Sequence, residues 1–174
     1  MSNLTKIFVV RHGQSRFNAT ENIESYAHDG ELGSPLTDKG KEQAKKVAQK
    51  LKKLKFAAIL SSDMNRTRET AQVIAKEEKL KVATNSTIRE RSIFDYLNML
   101  DELRKDGLED LTDEMLKDLA KLDEKSKMKY KHTHAMESAE EGALRLLNYI
   151  VKAEQKYHGK TILLVSHGNI MRSL

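Results

Sequence analysis

The 174-residue chain has no cysteine, no tryptophan, one proline (Pro35) and only eight glycines. Without cysteine there is no disulfide, no thiolate metal site and no cysteine nucleophile. Long apolar runs are missing too. The longest, such as Ile162–Val165, fall far short of the roughly 20 residues that a membrane helix needs. The opening Met1-Ser2-Asn3-Leu4-Thr5-Lys6 lacks the basic-then-apolar pattern of a signal peptide. These absences give an expectation of a cytoplasmic protein with no membrane partner.

What is present is an ordinary soluble balance, 39% hydrophobic and 33% charged, at a length that fits one domain, 1–174, with a buried core. The net charge of +5 comes from 31 basic residues interspersed with 26 acidic ones. The densest lysine stretch, Lys39 to Lys55, falls on an amphipathic pattern and reads as a solvated helix face. No nucleic-acid partner is expected, only a general attraction for anions.

Strand and helix signals alternate. Lys6-Ile7-Phe8-Val9-Val10 is a short β-branched run suited to a buried strand. Thr37 can cap a helix whose Ala44, Val47, Ala48, Leu51 and Leu54 share one face. Ala57–Leu60 predicts a second strand, followed by a helix with Thr67, Ala71, Ile74 and Ala75 towards the core. Lys81–Ala83 is a weaker third strand. Ser138 and Glu141 have the spacing of a capping box at the start of a helix running to about Tyr157. Gly159 ends it, and Thr161–Val165 is the clearest strand. The charged, leucine-dotted segment 95–131 reads as short helices inserted between the last strands. The pattern predicts an α/β fold of three layers, α/β/α, with a mostly parallel sheet.

In such sheets ligands bind beyond the carboxyl ends of the strands. Here the first strand runs into Arg11-His12-Gly13, the second into Ser62 to Arg66, and the last into Ser166-His167-Gly168. A neutral histidine is a competent nucleophile near pH 7. Arginine offers a fork of donors matched to phosphate oxygens. His12 is therefore the candidate nucleophile, Arg11 and Arg66 the anion clamp, and His167 a further donor to the transferred group. Glycine at position 13 would let backbone N–H groups approach. His28, His132, His134 and His158 fall outside this convergence, and the His132/His134 pair lacks a third ligand at metal-site spacing.

Arg11-His12-Gly13-Gln14-Ser15 with Asn18 resembles the signature of the histidine phosphatase superfamily, which includes phosphoglycerate mutases and fructose-bisphosphate phosphatases. Leu36-Thr37-Asp38-Lys39-Gly40 with Gln43-Ala44, the run Ser61 to Ala71, and Val165-Ser166-His167-Gly168 are similar to its three later blocks, in the family's order. The resemblance implies a phosphoglycerate mutase-like fold and a two-step, cofactor-free reaction through a phosphohistidine on His12, with no metal. It implies a phosphate pocket of Arg11, Arg66, His167 and Gly168, with Ser15 and Asn18 near the phosphate or substrate. Glu90, in Ile88-Arg89-Glu90-Arg91, sits where many relatives carry the acid that protonates the leaving group. Partial burial would raise its pKa, and Arg89 and Arg91 would oppose this. Glu137 in Met136-Glu137-Ser138 resembles the glutamate of a Gly-Glu-Ser block, with methionine in place of glycine.

Phosphoglycerate mutases carry Glu-Arg-His-Tyr-Gly in the acid loop, whereas this chain has Glu90-Arg91-Ser92-Ile93-Phe94. Hydrolysis is thus expected over mutase-type transfer. A non-catalytic phosphate-recognising protein is the remaining alternative. The substrate would be a small phosphorylated molecule or a phosphoprotein, with 95–131 acting as a lid over the pocket. Relatives usually continue beyond the segment corresponding to His167–Leu174. A short or truncated C-terminus would expose apolar sheet surface and favour a homodimer.

Overall fold

The computed structural model describes residues 4–20, 32–91, 117, 120–131 and 137–174. The elements are β1 (Lys6–Arg11), α1 (Arg16–Thr20), α2 (Asp38–Leu51), β2 (Ala58–Ser61), α3 (Asn65–Glu78), β3 (Val82–Thr84), α4 (Glu124–Lys129), α5 (Ala139–Lys156), β4 (Thr161–Ser166) and α6 (Gly168–Arg172). A single 3₁₀ turn, Ser86–Ile88, follows β3. Most of the proposed lid, namely 95–116 and 118–119, lies outside the described residues, as do His28, His132 and His134.

All four strands pair in parallel, in the order β1-β4-β2-β3. The strand latest in sequence is thus inserted between the first two. Thr161-Ile162-Leu163-Leu164-Val165 suits that place because a central parallel strand is buried on both faces and needs a continuous apolar run rather than alternation. Its residues divide accordingly. Leu163 and Val165 join Ile59, Ala71 and Ile74 under α2 and α3. Ile162 and Leu164 join Leu60, Leu146 and Ile170 under α5 and α6. Helices therefore cover both faces, the α/β/α layering expected.

Local chemistry sets the helix ends. Thr37 accepts the Gly40 N–H at the start of α2. Ser138 and Glu141 form the capping box at α5, each side chain taking the other's backbone N–H. Gly159, at φ 72°, occupies the left-handed region that lets the chain reverse into β4. No helix among the described residues is long and apolar enough to cross a membrane.

Parallel pairing in register puts the carboxyl ends of β1, β4 and β2 side by side: Arg11 pairs with Ser166 and Ser61 with Val165. The three segments carrying the candidate site residues emerge at this edge.

Candidate active site

His12 leaves β1 as a buried side chain. Its Nδ1 lies 2.7 Å from the Gly13 carbonyl oxygen, and its Nε2 accepts from Arg66 Nε at 3.2 Å. A carbonyl can only accept, and a guanidinium can only donate. The ring is therefore protonated on Nδ1 and carries its lone pair on Nε2. Burial, reinforced by Arg66 and Arg11, pulls its pKa from 6.5 to about 4, against the opposing effect of the Gly13 hydrogen bond. His12 is neutral at pH 7, with its Nε2 unprotonated and its lone pair held by the Arg66 N–H.

Around that nitrogen stand buried donors. Arg66, on the first turn of α3, is almost fully buried, and its Nη1 has no hydrogen-bond partner among the described residues. His167, between β4 and α6, is completely buried. Its ring meets that of His12 edge-on at 5.3 Å. Its Nε2 lies 3.0 Å from Ser62 Oγ, and its Nδ1 has no partner among the described residues. Burial, then Arg66, holds its pKa well below the usual histidine value. Arg11 lies across Gly168: a Cβ there would meet Arg11 Nε at 3.0 Å. Gly168 thus makes room for the guanidinium. Two cations, unpartnered buried donors and a neutral imidazole suit a tetrahedral anion and in-line attack upon it.

The loop that presents His12 is held by backbone contacts. Gly13 N donates to Thr70 Oγ1, which donates to the Arg66 carbonyl oxygen, so one hydroxyl joins the histidine loop to the arginine helix. Gln14 N donates to Gln43 Oε1, and the Thr37 N–H and hydroxyl both reach the Gln14 carbonyl oxygen. A cleft of about 540 Å³ opens beside His12, lined by Arg11, Gln14, Asn18 and Gln43 among others.

Ser15 and Asn18 have another job in part. The Ser15 N–H and hydroxyl both donate to Asn18 Oδ1, and the Asn18 N–H donates to Ser15 Oγ. Ser15 is buried within this cap of α1. Asn18 keeps its amide N–H₂ for the cleft, since its oxygen is held inside.

Glu90 is brought to the same edge, but its carboxylate is already occupied. Oε1 accepts from Arg91 N and Ile170 N at 3.0 and 2.8 Å, and Oε2 from Asn169 N at 3.1 Å. It satisfies the first N–H groups of α6, immediately after His167. Arg89 forms a two-pronged pair with Asp63, 2.7 Å on each prong, and holds the Asp63 carboxyl below its usual range. Glu137 pairs with Arg145 at 2.6 Å, and Arg145 also donates to the carbonyls of Thr87 and Arg89. The loop carrying Glu90 is thus clamped from both sides.

Sequence reasoning missed Ser62, Thr70 and Gln43 as parts of the site. Ser62 and Thr70 lie within the run Ser61 to Ala71, and nothing in their spacing says which backbone or ring they meet. Among the described residues no group of three His, Cys, Asp or Glu side chains is placed to hold a metal ion.

Comparison with known proteins identifies the family and the fold. A model of the histidine phosphatase superfamily (branch 1) matches residues 7–174. Probable phosphoglycerate mutase GpmB of Escherichia coli is 38% identical over 111 residues, covering 64% of this chain and 46% of that protein. The chain thus spans about half the length of the curated relatives it matches. A phosphoglycerate mutase structure from Bacillus anthracis superposes with a TM-score of 0.69 at 26% identity, over 99% of this chain and 78% of that one. A mycobacterial glucosyl-3-phosphoglycerate phosphatase shares the fold with a TM-score of 0.68 at 24% identity, over 95% and 76% of the two chains.

Proposed function

Because the chain belongs to the histidine phosphatase superfamily (branch 1), we infer that it hydrolyses phosphate monoesters through a phosphohistidine on His12. The observation that carries this reading is the unprotonated Nε2 of a neutral, buried His12, ringed by the donors of Arg66 and His167.

Nε2 attacks phosphorus opposite the ester oxygen. The N–P bond forms as the P–O bond breaks, and the departing oxygen takes up a proton. Water then attacks the phosphohistidine, releasing inorganic phosphate and restoring the neutral ring. Arg11, Arg66 and His167 neutralise the equatorial oxygens as charge redistributes, and Asn18 adds an amide donor. Glu90 is assigned the leaving-group proton. To deliver it, the carboxylate must give up one of the backbone N–H groups it now holds. No step calls for a metal. The substrate class is a phosphate ester of a small molecule or a phosphoprotein segment.

The direct test is release of p-nitrophenol from its phosphate ester. Wild type is expected to turn it over in the presence of chelator and to form an acid-labile, base-stable phosphoenzyme. His12→Ala is expected to lose about 10³-fold or more. Equal activity of the two proteins would remove His12 as nucleophile, and strict metal dependence would replace the mechanism. The name of the E. coli relatives favours a second reading, phosphoryl transfer between positions of a phosphoglycerate. Formation of the isomeric ester without free phosphate would select it.

A further inference from the structure

We propose that Ser62 is a positioning residue that fixes the buried His167 ring as its Nδ1–H tautomer, leaving that proton for the phosphoryl group. The inference deepens the proposed function and rests on that reading for what His167 does.

The argument is one of proton accounting. Ser62 directly follows β2, is fully buried, and places Oγ 3.0 Å from His167 Nε2. A hydroxyl has one hydrogen to give and two lone pairs to receive. One lone pair receives the Met64 N–H at 3.3 Å, while the Ser62 N–H goes to the Val165 carbonyl. Among the described residues, the only acceptor the hydroxyl hydrogen meets is His167 Nε2. If Nε2 carried the ring proton, Ser62 Oγ would accept it with its second lone pair, and the hydroxyl hydrogen would have to turn elsewhere. The hydroxyl hydrogen would then be buried without an acceptor, which folded proteins avoid.

The ring itself has one proton, not two. It is fully buried, and burial first, then Arg66, His12, Arg145 and Arg11 nearby, disfavour an imidazolium. With Nε2 serving as acceptor, the proton belongs on Nδ1, the atom left buried without a protein partner. The alternative tautomer would turn a bare lone pair towards an anionic phosphoryl group and lose a donor from its shell. His12 and His167 are thus set in the same state by different partners: a carbonyl taking the Nδ1 proton of His12, a hydroxyl occupying Nε2 of His167.

Two-bond ¹H–¹⁵N correlation spectra of the ¹⁵N-labelled full chain report which ring nitrogen is protonated, with His167→Gln identifying the His167 signals. Wild type is expected to show Nδ1–H. Ser62→Ala is expected to shift His167 towards Nε2–H and to lower kcat by about tenfold or more. Inorganic phosphate should also bind more weakly, with the melting temperature little changed. Ser62→Thr, which keeps the hydroxyl, should restore the wild-type tautomer. A wild-type Nε2–H signal overturns the proposal. So does a Ser62→Ala protein with unchanged tautomer and kcat. If Ser62→Ala fails to fold, the wild-type spectrum decides alone. Because the spectrum needs no turnover, an inactive protein with the Nδ1–H tautomer would reject the phosphatase reading while leaving the Ser62 assignment intact.

Discussion

Glu90 and His12 show how far one residue's role depends on its hydrogen bonds. For its proposed role as nucleophile, His12 depends on the Gly13 carbonyl, which accepts the Nδ1 hydrogen bond, and on burial, which keeps the ring neutral. Glu90 faces a conflict: its carboxylate is an acceptor for three backbone N–H groups, whereas an acid must present a proton. If it is the acid, Glu90→Gln should cut kcat strongly for alkyl phosphates, which have poor leaving groups, and little for p-nitrophenyl phosphate. If it only supports the start of α6, both substrates should fall in parallel. Glutamine keeps one acceptor oxygen, so the variant should fold. Comparing kcat on the two substrates separates the roles.

At the scale of elements, the loop carrying His12 is held by the way α2 docks on it. Gly13 and Gly40 meet backbone to backbone: a Cβ on Gly40 would lie 2.1 Å from the Gln14 carbonyl oxygen, and one on Gly13 2.4 Å from the Gly40 carbonyl oxygen. Gly142 in α5 is different, because its Cβ would meet the Arg91 side chain at 2.9 Å, and a flexible side chain can move. Both helical glycines would gain about 0.5–1 kcal/mol of helix propensity as alanine. Gly142→Ala should therefore change stability by less than about 1 kcal/mol. Gly40→Ala should destabilise by about 1–3 kcal/mol and reduce kcat, because α2 and the His12 loop must separate. Denaturant midpoints and kcat for the pair provide the check; equal stability changes would mean that the docking is looser than this geometry.

For the whole molecule, acid should act first through the buried site. The pKa of His12 falls from 6.5 to about 4 on folding. As pH drops below 6.5 the unfolded chain takes up the proton and the native chain does not, so stability is lost until the native ring protonates near 4. At about 1.36 kcal/mol per pKa unit this single group accounts for about 3 kcal/mol. His167 acts with the same sign. Asp63, held low by Arg89, contributes only in more acid solution, where its stabilisation is lost as the carboxylate protonates. Between pH 7 and pH 4 the unfolding free energy of His12→Asn should decline less than that of wild type, by about 2–3 kcal/mol. An identical decline would show that His12 is not the group responsible.

Much of this was written in local sequence, because caps and apolar runs act over a few residues. Thr37, the Ser138–Glu141 box, and the strands ending at Arg11, Ser61 and Ser166 follow from side-chain chemistry within one turn or one run. So did the choice of His12, Arg11, Arg66 and His167, since strand ends in a parallel sheet share an edge. The strand order β1-β4-β2-β3 was not legible, because it depends on which apolar runs can be buried on both faces at once. Nor was the state of each polar group. Which nitrogen of His12 is bare, what Ser62 gives to His167, and why the Glu90 carboxylate is occupied are set by partners between 1 and 105 residues away. The sequence alone determined which chemical groups reach the sheet edge. Only the tertiary structure decided where each proton sits, since hydrogen bonds link groups that are neighbours in space rather than along the chain.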